Sequence, residues 1–582
     1  MTVSPSHSSH APDPEADDAA GVPPTRGGAG AEAGVEAGEG AGSATAQVAP
    51  SAPVSRGFLA RATLITASLS VAGALLGLVR DQSLARLFGA GRDTDAFLVA
   101  WTVPEFAATL LIEEGLAYAL IPAFSLALAR RAQGAPGNPV RSLVAGTLPK
   151  LSLAFVAVSA VLIGAAPQLV ALLAPGLPDP ALAVDCTRLT ATCVLTFGLA
   201  GYCSAALRAH RRFLAPAAIY VAYNTGIITT MFVLGGRWGV RAAALGVAMG
   251  GLLMIAVQLP FLWRRLGRTA TPAPAGDTAA GAQPVGVALI ATVLLFALCR
   301  QSQVLIERFL ASPLPPGAIS HLNYAQKVAQ IPMTLSLMLS TVTFPVVSRA
   351  LAEGDTERAR TRVERDLALA STLVLGGAAV VVACAPQIVE LLFQRGAFTA
   401  RDTAATAQVM RVYALGLLGQ TLTGALVRSY FSAGRATWYP VGAMAAGIAV
   451  TAWAGALAVG PWGVTGIAAA NALGITLTAA LLLAGIRDAG HATPRGVAIR
   501  TGTVLRELSR PLWAAAVATA AGAVAAAAFP APPAGLAAGA LTTAAVFVLL
   551  GRVLGAQGFA PALRSLRFLR TVIRRVAHGR FR

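Results

Sequence analysis

Six charged side chains lie close together between Gly77 and Phe97, at the junction of two segments that are otherwise strongly apolar. They are Arg80, Asp81, Arg86, Arg92, Asp93 and Asp95. An ionised side chain at membrane depth is costly and is kept mainly where it faces a partner, a hydrated cavity or a polar substrate. A cluster rich in cations at this place predicts a path for an anionic group. The competing interpretation is that Arg80 and Asp81 form only a local ion pair at a helix end.

A second group of polar residues lies in the seventh and eighth apolar segments. Its members are Arg300, Gln301, Gln303, Glu307, Arg308, Asn323, Gln326, Lys327 and Gln330. Lys327 stands between two glutamines in a chain that uses arginine for nearly every other cation, which favours a hydrated cavity. For Glu307 and Arg308, the outer membrane interface and a cavity remain equal alternatives.

Both groups together define a candidate site. Arg80, Arg86, Arg300 and Lys327 lining one cavity would attract a diphosphate, because charge-assisted bonds to phosphate are strong in a low dielectric. Three carboxylates are predicted to gate the site or to balance its charge: Asp81, Asp95 and Glu114. Two prolines are predicted as possible hinges, Pro104 in the second segment and Pro332 in the eighth, since each frees a backbone carbonyl and permits a kink.

Composition identifies the solvent that surrounds these residues. Of the 582 residues, 55% are hydrophobic and 12% are charged, about half the charged fraction of soluble domains. Apolar runs of roughly 20 residues, each long enough to span a bilayer as a helix, recur along most of the chain. The net charge of +19 comes largely from arginines in short loops, as membrane topology rules require, so nucleic-acid binding is not expected. The class predicted is an all-α polytopic membrane protein.

The apolar pattern predicts fourteen transmembrane helices. They start near residues 58, 94, 141, 181, 213, 240, 284, 318, 364, 402, 438, 463, 511 and 534. Loops such as Pro175–Pro180 and Ser312–Gly317 carry no Lys or Arg, whereas the loops between them are rich in arginine. The positive-inside rule then places both termini in the cytoplasm.

An internal repeat supports this count. Pro167-Gln168-Leu169-Val170 returns as Pro386-Gln387-Ile388-Val389, and Gly239-Val240 returns as Gly463-Val464. Six helices separate the members of each pair, so both copies insert with the same orientation. Two six-helix lobes related by a parallel repeat, with the substrate site between them, are a recurrent transporter plan.

The repeat sets the predicted domain boundaries. Residues 58–269 form an N-lobe with helices 1–6, 270–283 form a linker, and 284–487 form a C-lobe with helices 7–12. Residues 488–555 comprise a cytoplasmic loop and helices 13 and 14. Residues 1–57 have the composition of a disordered cytoplasmic tail, and 556–582 form a basic tail that is expected to lie on the inner leaflet.

Several kinds of chemistry find no support in the sequence. Neither Lys150 nor Lys327 belongs to a phosphate-binding GxxxxGK[ST] loop. There is no HExxH motif and no GxSxG turn between a strand and a helix, and the five cysteines form no CxxC pair. We therefore expect no enzyme, no metal site and no cofactor.

The run from Gly77 to Phe97 resembles the start of the MurJ (MviN) family, bacterial flippases of the peptidoglycan precursor lipid II. Further similar segments are Glu114-Gly115, Gln258–Leu262, Phe344–Arg349 and Leu391–Thr399. The resemblance covers most of residues 60–555. It implies fourteen helices, two six-helix lobes of the MATE-like (MOP) superfamily, two extra helices beside the lipid tail, and a cationic central cavity.

The resemblance carries over to particular residues only in part. Arg80, Asp81, Arg86 and Asp95 match charged positions of the family, and Lys327 stands where the family usually has an arginine. Two departures remove cations: Ala74 in the first helix and Thr109-Leu110 in the second replace family arginines.

The function implied is transfer of lipid II, an undecaprenyl-pyrophosphate-linked glycopeptide, across the bacterial cytoplasmic membrane by alternating access. An ion gradient or the membrane potential would drive it, and cell-wall synthesis proteins are candidate partners. Two alternatives remain open. One is a MATE-like drug or metabolite antiporter, and the other is a non-transporting cell-wall scaffold.

Overall fold

The protein folds into helices joined by short turns. The structure, a computed structural model, describes residues 56–113, 115–134, 137–266, 287–341, 353–431, 437–486, 498–556 and 558. No β-strand occurs among these residues. Lipid offers no hydrogen bonds to a backbone, and a helix satisfies its own N–H and C=O groups, so an apolar chain of this composition forms helices.

The helices of the N-lobe are α1 Arg56–Phe88, α2 Arg92–Ala100, α3 Thr102–Ala107, a π-helical turn Ala108–Glu113, α4 Gly115–Ala132, α5 Pro139–Gly164, α6 Ala166–Leu173, α7 Pro180–Ala191, α8 Cys193–Ala209, α9 Leu214–Trp238 and α10 Arg241–Leu266. Those of the C-lobe are α11 Val287–Ala311, α12 Ala318–Ala329, α13 Ile331–Thr341, α14 Thr356–Ala383, α15 Ala385–Phe393, α16 Ala400–Ala414, α17 Leu417–Phe431 and α18 Tyr439–Gly485. Two further helices follow, α19 Thr501–Ala527 and α20 Pro532–Val553.

The membrane class predicted from composition is confirmed. Within the described ranges, nine helices are long and apolar enough to cross a bilayer. Large apolar side chains such as Leu153, Trp263 and Val524 are exposed, as expected of a surface that faces lipid and not water. The total of fourteen transmembrane helices stays a prediction, although a helix is present at or near each of the fourteen predicted starts.

Two helices begin earlier than predicted, because polar first turns carry no apolar signal. Helix α14 begins at Thr356 and not near 364, since the side chain of Asp355 caps it by accepting from the Arg358 backbone N–H at 2.9 Å. Helix α19 begins at Thr501 and not near 511.

The internal repeat is visible as matching interruptions of the helices. Gly239 and Gly463 both adopt positive φ, 56° and 53°, a conformation that favours glycine. Helix α5 is interrupted at Ala165 and helix α14 at Cys384, and in each case a proline, Pro167 or Pro386, lies in the first turn of the next helix. Equivalent breaks at equivalent places support the two-lobe plan.

The two lobes meet through α2, α3, α6 and the end of α1 on one side and α11, α12 and α15 on the other. Buried apolar residues of α2 and α12, among them Ala96, Leu98, Leu322 and Ala325, belong to one continuous cluster. Helices α19 and α20 pack on each other and on α14 of the C-lobe.

Candidate substrate site between the lobes

Arg80 on α1 is held from three sides within the N-lobe. Its Nε and Nη2 donate to Asp81 Oδ1 at 3.0 and 2.8 Å, and its Nη1 donates to Asn224 Oδ1 at 3.2 Å. Its Cζ lies 4.4 Å from the centroid of the Trp101 ring, a cation–π distance. The side chains of Arg80 and Asp81 are only 13% and 8% exposed, so both charges lie inside the protein.

Glu105 on α3 joins two cations of the other lobe. Arg308 on α11 donates Nη2 to Glu105 Oε2 at 2.9 Å, and Lys327 on α12 donates Nζ to Glu105 Oε1 at 3.4 Å. The Nη1 of Arg308 also donates to Thr102 Oγ1. We call Glu105, Arg308 and Lys327 the inter-lobe ion cluster. Arg308 is nearly buried, with 5% of its side chain exposed, whereas Lys327 keeps 35%.

The Arg80–Asp81 ion pair and the inter-lobe ion cluster lie next to each other at the junction of α2 and α3. Trp101 lies at this junction and stacks on Arg80, and the next residue, Thr102, accepts from Arg308. Three cations from three helices are thus collected around one break in the second helix. Only Lys327 among them has substantial exposure.

Asp95 on α2 caps a helix of the opposite lobe. Its carboxylate accepts from the backbone N–H of Gly317 at 2.7 Å, and from the backbone N–H and hydroxyl of Ser320 at 2.8 and 2.5 Å. These groups form the N-terminus of α12, where a carboxylate is favoured by the unpaired N–H groups and the helix dipole. Asp95 is therefore a latch between the lobes.

The end of the molecule that contains Asp95 is closed by backbone contacts as well. The N–H of Ala397 donates to the carbonyl of Arg86 at 2.9 Å, and the N–H of Gly176 donates to Ser312 Oγ at 3.2 Å. Gly89, with φ of 69°, comes so near that a Cβ would lie 2.7 Å from the Ala397 oxygen. We call this region, residues 89–91, 174–179, 312–317 and 394–399, the sealed end.

The second transmembrane segment of the N-lobe, which runs from α2 to α4, is interrupted where the cations meet. Pro104 has no N–H to give to the carbonyl of Ala100, and this carbonyl accepts instead from the hydroxyl of Thr190 on α7 at 3.1 Å. The π-helical turn Ala108–Glu113 follows directly, and such turns are frequent at functional sites. This part of the chain can bend without leaving a buried carbonyl unpaired.

The family model described as "Lipid II flippase MurJ" matches residues 84–530, which is most of the chain. The chain belongs to the lipid II flippase MurJ family. Among its relatives, "Lipid II flippase MurJ" of Burkholderia cenocepacia is 27% identical over 447 residues, covering 75% of this chain and 85% of the relative. "Probable lipid II flippase MurJ" of Thermotoga maritima is 30% identical over 362 residues, covering 61% of this chain and 70% of the relative.

Solved structures agree on the fold. A lipid II flippase MurJ in an inward closed conformation superposes with a TM-score of 0.67 at 18% identity, covering 84% of this chain and 98% of that one. An inward-facing multidrug resistance MATE transporter of the MOP superfamily gives a TM-score of 0.57 at 14% identity, with coverages of 72% and 95%. The all-α membrane fold predicted from the sequence is confirmed, and this chain shares it with the MurJ and MATE structures.

The predicted substrate-binding residues of this MurJ family member do not all share one place. Lys327 lies in the inter-lobe ion cluster and Arg80 next to it, as described above. Arg86 has an exposed side chain at the sealed end, and Arg300 has an exposed side chain on α11, more than two turns before Arg308. Within the described residues, the ion pairs of Glu105 are with Arg308 and Lys327, and not with Arg86 or Arg300.

The predicted charge partners and hinges fall at different positions relative to the cluster. Asp81 binds Arg80, and Asp95 bridges the lobes. Glu114 lies outside the described residues. Pro104 coincides with the break in the second helix, whereas Pro332 is the second residue of α13, directly after a break at Gln330.

Glu105 is the member of the inter-lobe ion cluster that the sequence analysis of this MurJ family member did not single out. A signal was present: an acidic residue directly after a proline, within a segment apolar enough to span a membrane. The sequence also left the position of Glu307 and Arg308 open. Both are buried, Arg308 in the inter-lobe ion cluster and Glu307 against the amide of Asn471.

Proposed function

We propose that this chain moves lipid II from the inner to the outer leaflet of the bacterial cytoplasmic membrane by alternating access. Family membership and the names of the relatives support the substrate. The observation that carries the proposal is the inter-lobe ion cluster. Arg308 and Lys327 place two cations at the boundary between lobes that must move apart, inside a protein whose outer surface is apolar.

The pyrophosphate of the lipid supplies the anion for these cations. Lys327 binds as a mobile point charge and Arg308 as a planar fork that fits two phosphate oxygens. Arg80, paired with Asp81 and stacked on Trp101, lies beside this pair of cations. The glycopeptide head then crosses between the lobes, while the polyprenyl tail remains in lipid beside α19 and α20.

The sealed end is assigned to the outer face of the membrane. Its loops 175–180 and 312–317 carry no Lys or Arg, and Arg395 is an exception in the segment 394–399, whereas arginine-rich loops lie at the opposite ends of the same helices. Under this assignment the outer end of the site is closed in this structure, and both termini lie on the cytoplasmic side. Opening outward requires release of the Asp95 latch from α12 and bending of the second helix near Pro104. A membrane potential of 100 mV supplies about 2.3 kcal/mol per charge moved.

The test in cells is complementation. Cells depleted of their own flippase are expected to grow with the wild-type chain, and to grow poorly with Arg80→Ala or Lys327→Ala at equal membrane abundance. Lys150→Ala is the matched control, because Lys150 is the other lysine of the chain and is exposed on α5. Full rescue by both Arg80→Ala and Lys327→Ala would remove the cationic site from the account.

An antiporter of the MATE type is the second candidate. The observation that favours it is the set of carboxylates near the lobe boundary, buried Asp95 and Glu307 and half-buried Glu105, which would suit a cationic substrate. Asp95 is occupied by helix α12 and Glu105 by two cations, so the arrangement fits a precursor anion better. Efflux of cationic dyes from vesicles, abolished by Glu307→Gln, would favour the antiporter.

A further inference from the structure

Glu105 uses its carboxylate as a bound anion would. One oxygen, Oε2, accepts from Arg308 and the other, Oε1, lies against Lys327. The carboxylate comes from the N-lobe and both cations from the C-lobe. A phosphate group with two free oxygens would meet the same two donors in the same way.

The charges leave little room for both anions at once. In the inter-lobe ion cluster two cations face one carboxylate, so the excess is a single positive charge. Arg80 is already balanced by Asp81. A diphosphate added beside Glu105 would place like charges together in a poorly solvated region, where their repulsion is strong. An anion that reaches Arg308 and Lys327 must therefore displace Glu105.

Glu105 also joins the lobes, which couples its displacement to their movement. When Glu105 holds Arg308 and Lys327, α3 of one lobe is tied to α11 and α12 of the other. When an external anion takes the two cations, this tie is lost. A transporter that releases its substrate outside must return empty, and the freed cations then need a counter-charge.

We propose that Glu105 is an internal substitute for the anionic group of the substrate. It occupies Arg308 and Lys327 while the site is empty, yields them to the diphosphate, and takes them back for the return step. This inference rests on the proposed function, and it names Glu105 as the residue that sets the affinity of the site for its anion.

The test is binding of inorganic pyrophosphate to the full-length protein in lipid nanodiscs, followed by calorimetry. Glu105→Gln keeps the shape of the side chain and removes the competing charge. It is expected to bind pyrophosphate roughly tenfold more tightly than the wild type. Glu113→Gln is the matched control. Glu113 follows in the same broken helix, accepts from Tyr220 Oη at 2.8 Å and is exposed, so its replacement should leave the affinity unchanged.

A double variant locates the binding. Adding Lys327→Gln to Glu105→Gln should return the affinity to the wild-type value or below it. The inference is overturned if Glu105→Gln binds no more tightly than the wild type, or if its tighter binding survives the loss of Lys327. Equal thermal unfolding profiles of the variants establish that both are folded.

The same variants separate this inference from the flippase proposal. If Glu105→Gln binds pyrophosphate more tightly while the wild type moves no lipid precursor, the exchange of anions is supported and the flippase is not. If the wild type moves the precursor and Glu105→Gln shows unchanged affinity, the flippase stands and the role of Glu105 is wrong.

Discussion

At the scale of single residues, the cost of burying charge explains the geometry of the site. An ion taken out of water loses several kcal/mol of solvation, and a partner returns this only when the contact is close and well oriented. Arg80 and Arg308 each have a carboxylate at 2.8 or 2.9 Å and a further polar acceptor. Lys327 is more exposed and has a longer contact of 3.4 Å, so it is the cation most easily given to a ligand.

This difference between Arg308 and Lys327 can be measured as stability. Arg308→Gln leaves Glu105 without its nearest partner, and we expect the free energy of unfolding to fall by about 3 kcal/mol. Lys327→Gln breaks a contact that solvent already screens, and a loss of about 1 kcal/mol or less is expected. Reversible unfolding in mixed micelles with increasing denaturant provides the measurement.

Arg241→Gln serves as the control for the loss of an arginine. Arg241 pairs with Asp185 at 2.8 Å, but 46% of its side chain is exposed. Its removal should change the free energy of unfolding by no more than about 1 kcal/mol. Equal effects of Arg308→Gln and Arg241→Gln would mean that the inter-lobe ion cluster contributes nothing beyond a surface pair.

Of the three members of this cluster, the sequence identified Lys327, left the position of Arg308 open and missed Glu105. Lys327 stands out because a lone lysine between glutamines is unusual in an apolar helix. That Glu105 binds Lys327 does not follow from the sequence. The two residues are far apart along the chain, and the pairing depends on how one lobe is placed against the other.

At the scale of elements, the second helix of each lobe is built from pieces. In the N-lobe the break at Trp101 is followed by Pro104 and a π-helical turn. In the C-lobe the break at Gln330 is followed at once by Pro332. The two prolines, Pro104 and Pro332, had marked these places as possible hinges. The π-helical turn could not be predicted, because its residues, Ala108–Glu113, have no sequence feature that distinguishes π from α geometry.

Replacement of Pro104 by alanine tests whether this break serves movement. The new N–H can donate to the Ala100 carbonyl and straighten the helix, so we expect stability to be kept or raised and precursor movement to slow. Pro149→Ala is the control, since it also adds an N–H inside a helix but lies exposed on α5, away from the lobe boundary. Transport and unfolding should be measured on the same preparations.

A second substitution, made in the wild type and in Pro104→Ala, tests the hydrogen bond from Thr190 to the Ala100 carbonyl. Thr190→Val leaves the Ala100 carbonyl unpaired in the wild type and should cost about 1 to 2 kcal/mol. In the Pro104→Ala background the backbone supplies the donor, and the cost should nearly vanish. A full cost in both backgrounds would show that Pro104 does not control this part of the helix.

At the scale of the whole molecule, the structure is a pair of lobes closed at one end. Asp95 and the backbone contacts around Gly89 and Gly176 join the two lobes at the sealed end. The inter-lobe ion cluster joins them again near the middle of the molecule. Helices α19 and α20 belong to the C-lobe side. At one end of α19, Arg500 binds Glu357 at 2.6 Å and its N–H donates to Glu364 at 2.8 Å, and at the other end Gln387 reaches the Ala526 carbonyl.

Composition sufficed to predict an all-helical membrane fold at this scale, because lipid permits few solutions for a long apolar chain. The count of fourteen helices and the domain boundaries stay predictions. The state of closure could not be predicted. It depends on contacts such as that of Asp95 with Gly317 and Ser320, whose energies differ little between two arrangements of the same lobes.

Movement of fluorescently labelled lipid II across the membrane of proteoliposomes tests the central claim most directly. The wild type and Lys150→Gln are expected to move the lipid at equal rates, whereas Lys327→Gln should be slower by roughly tenfold or more, since it loses a charge-assisted contact to the pyrophosphate. Absence of movement by the wild type, or equal rates for Lys327→Gln and Lys150→Gln, would contradict transport through a cationic site between the lobes.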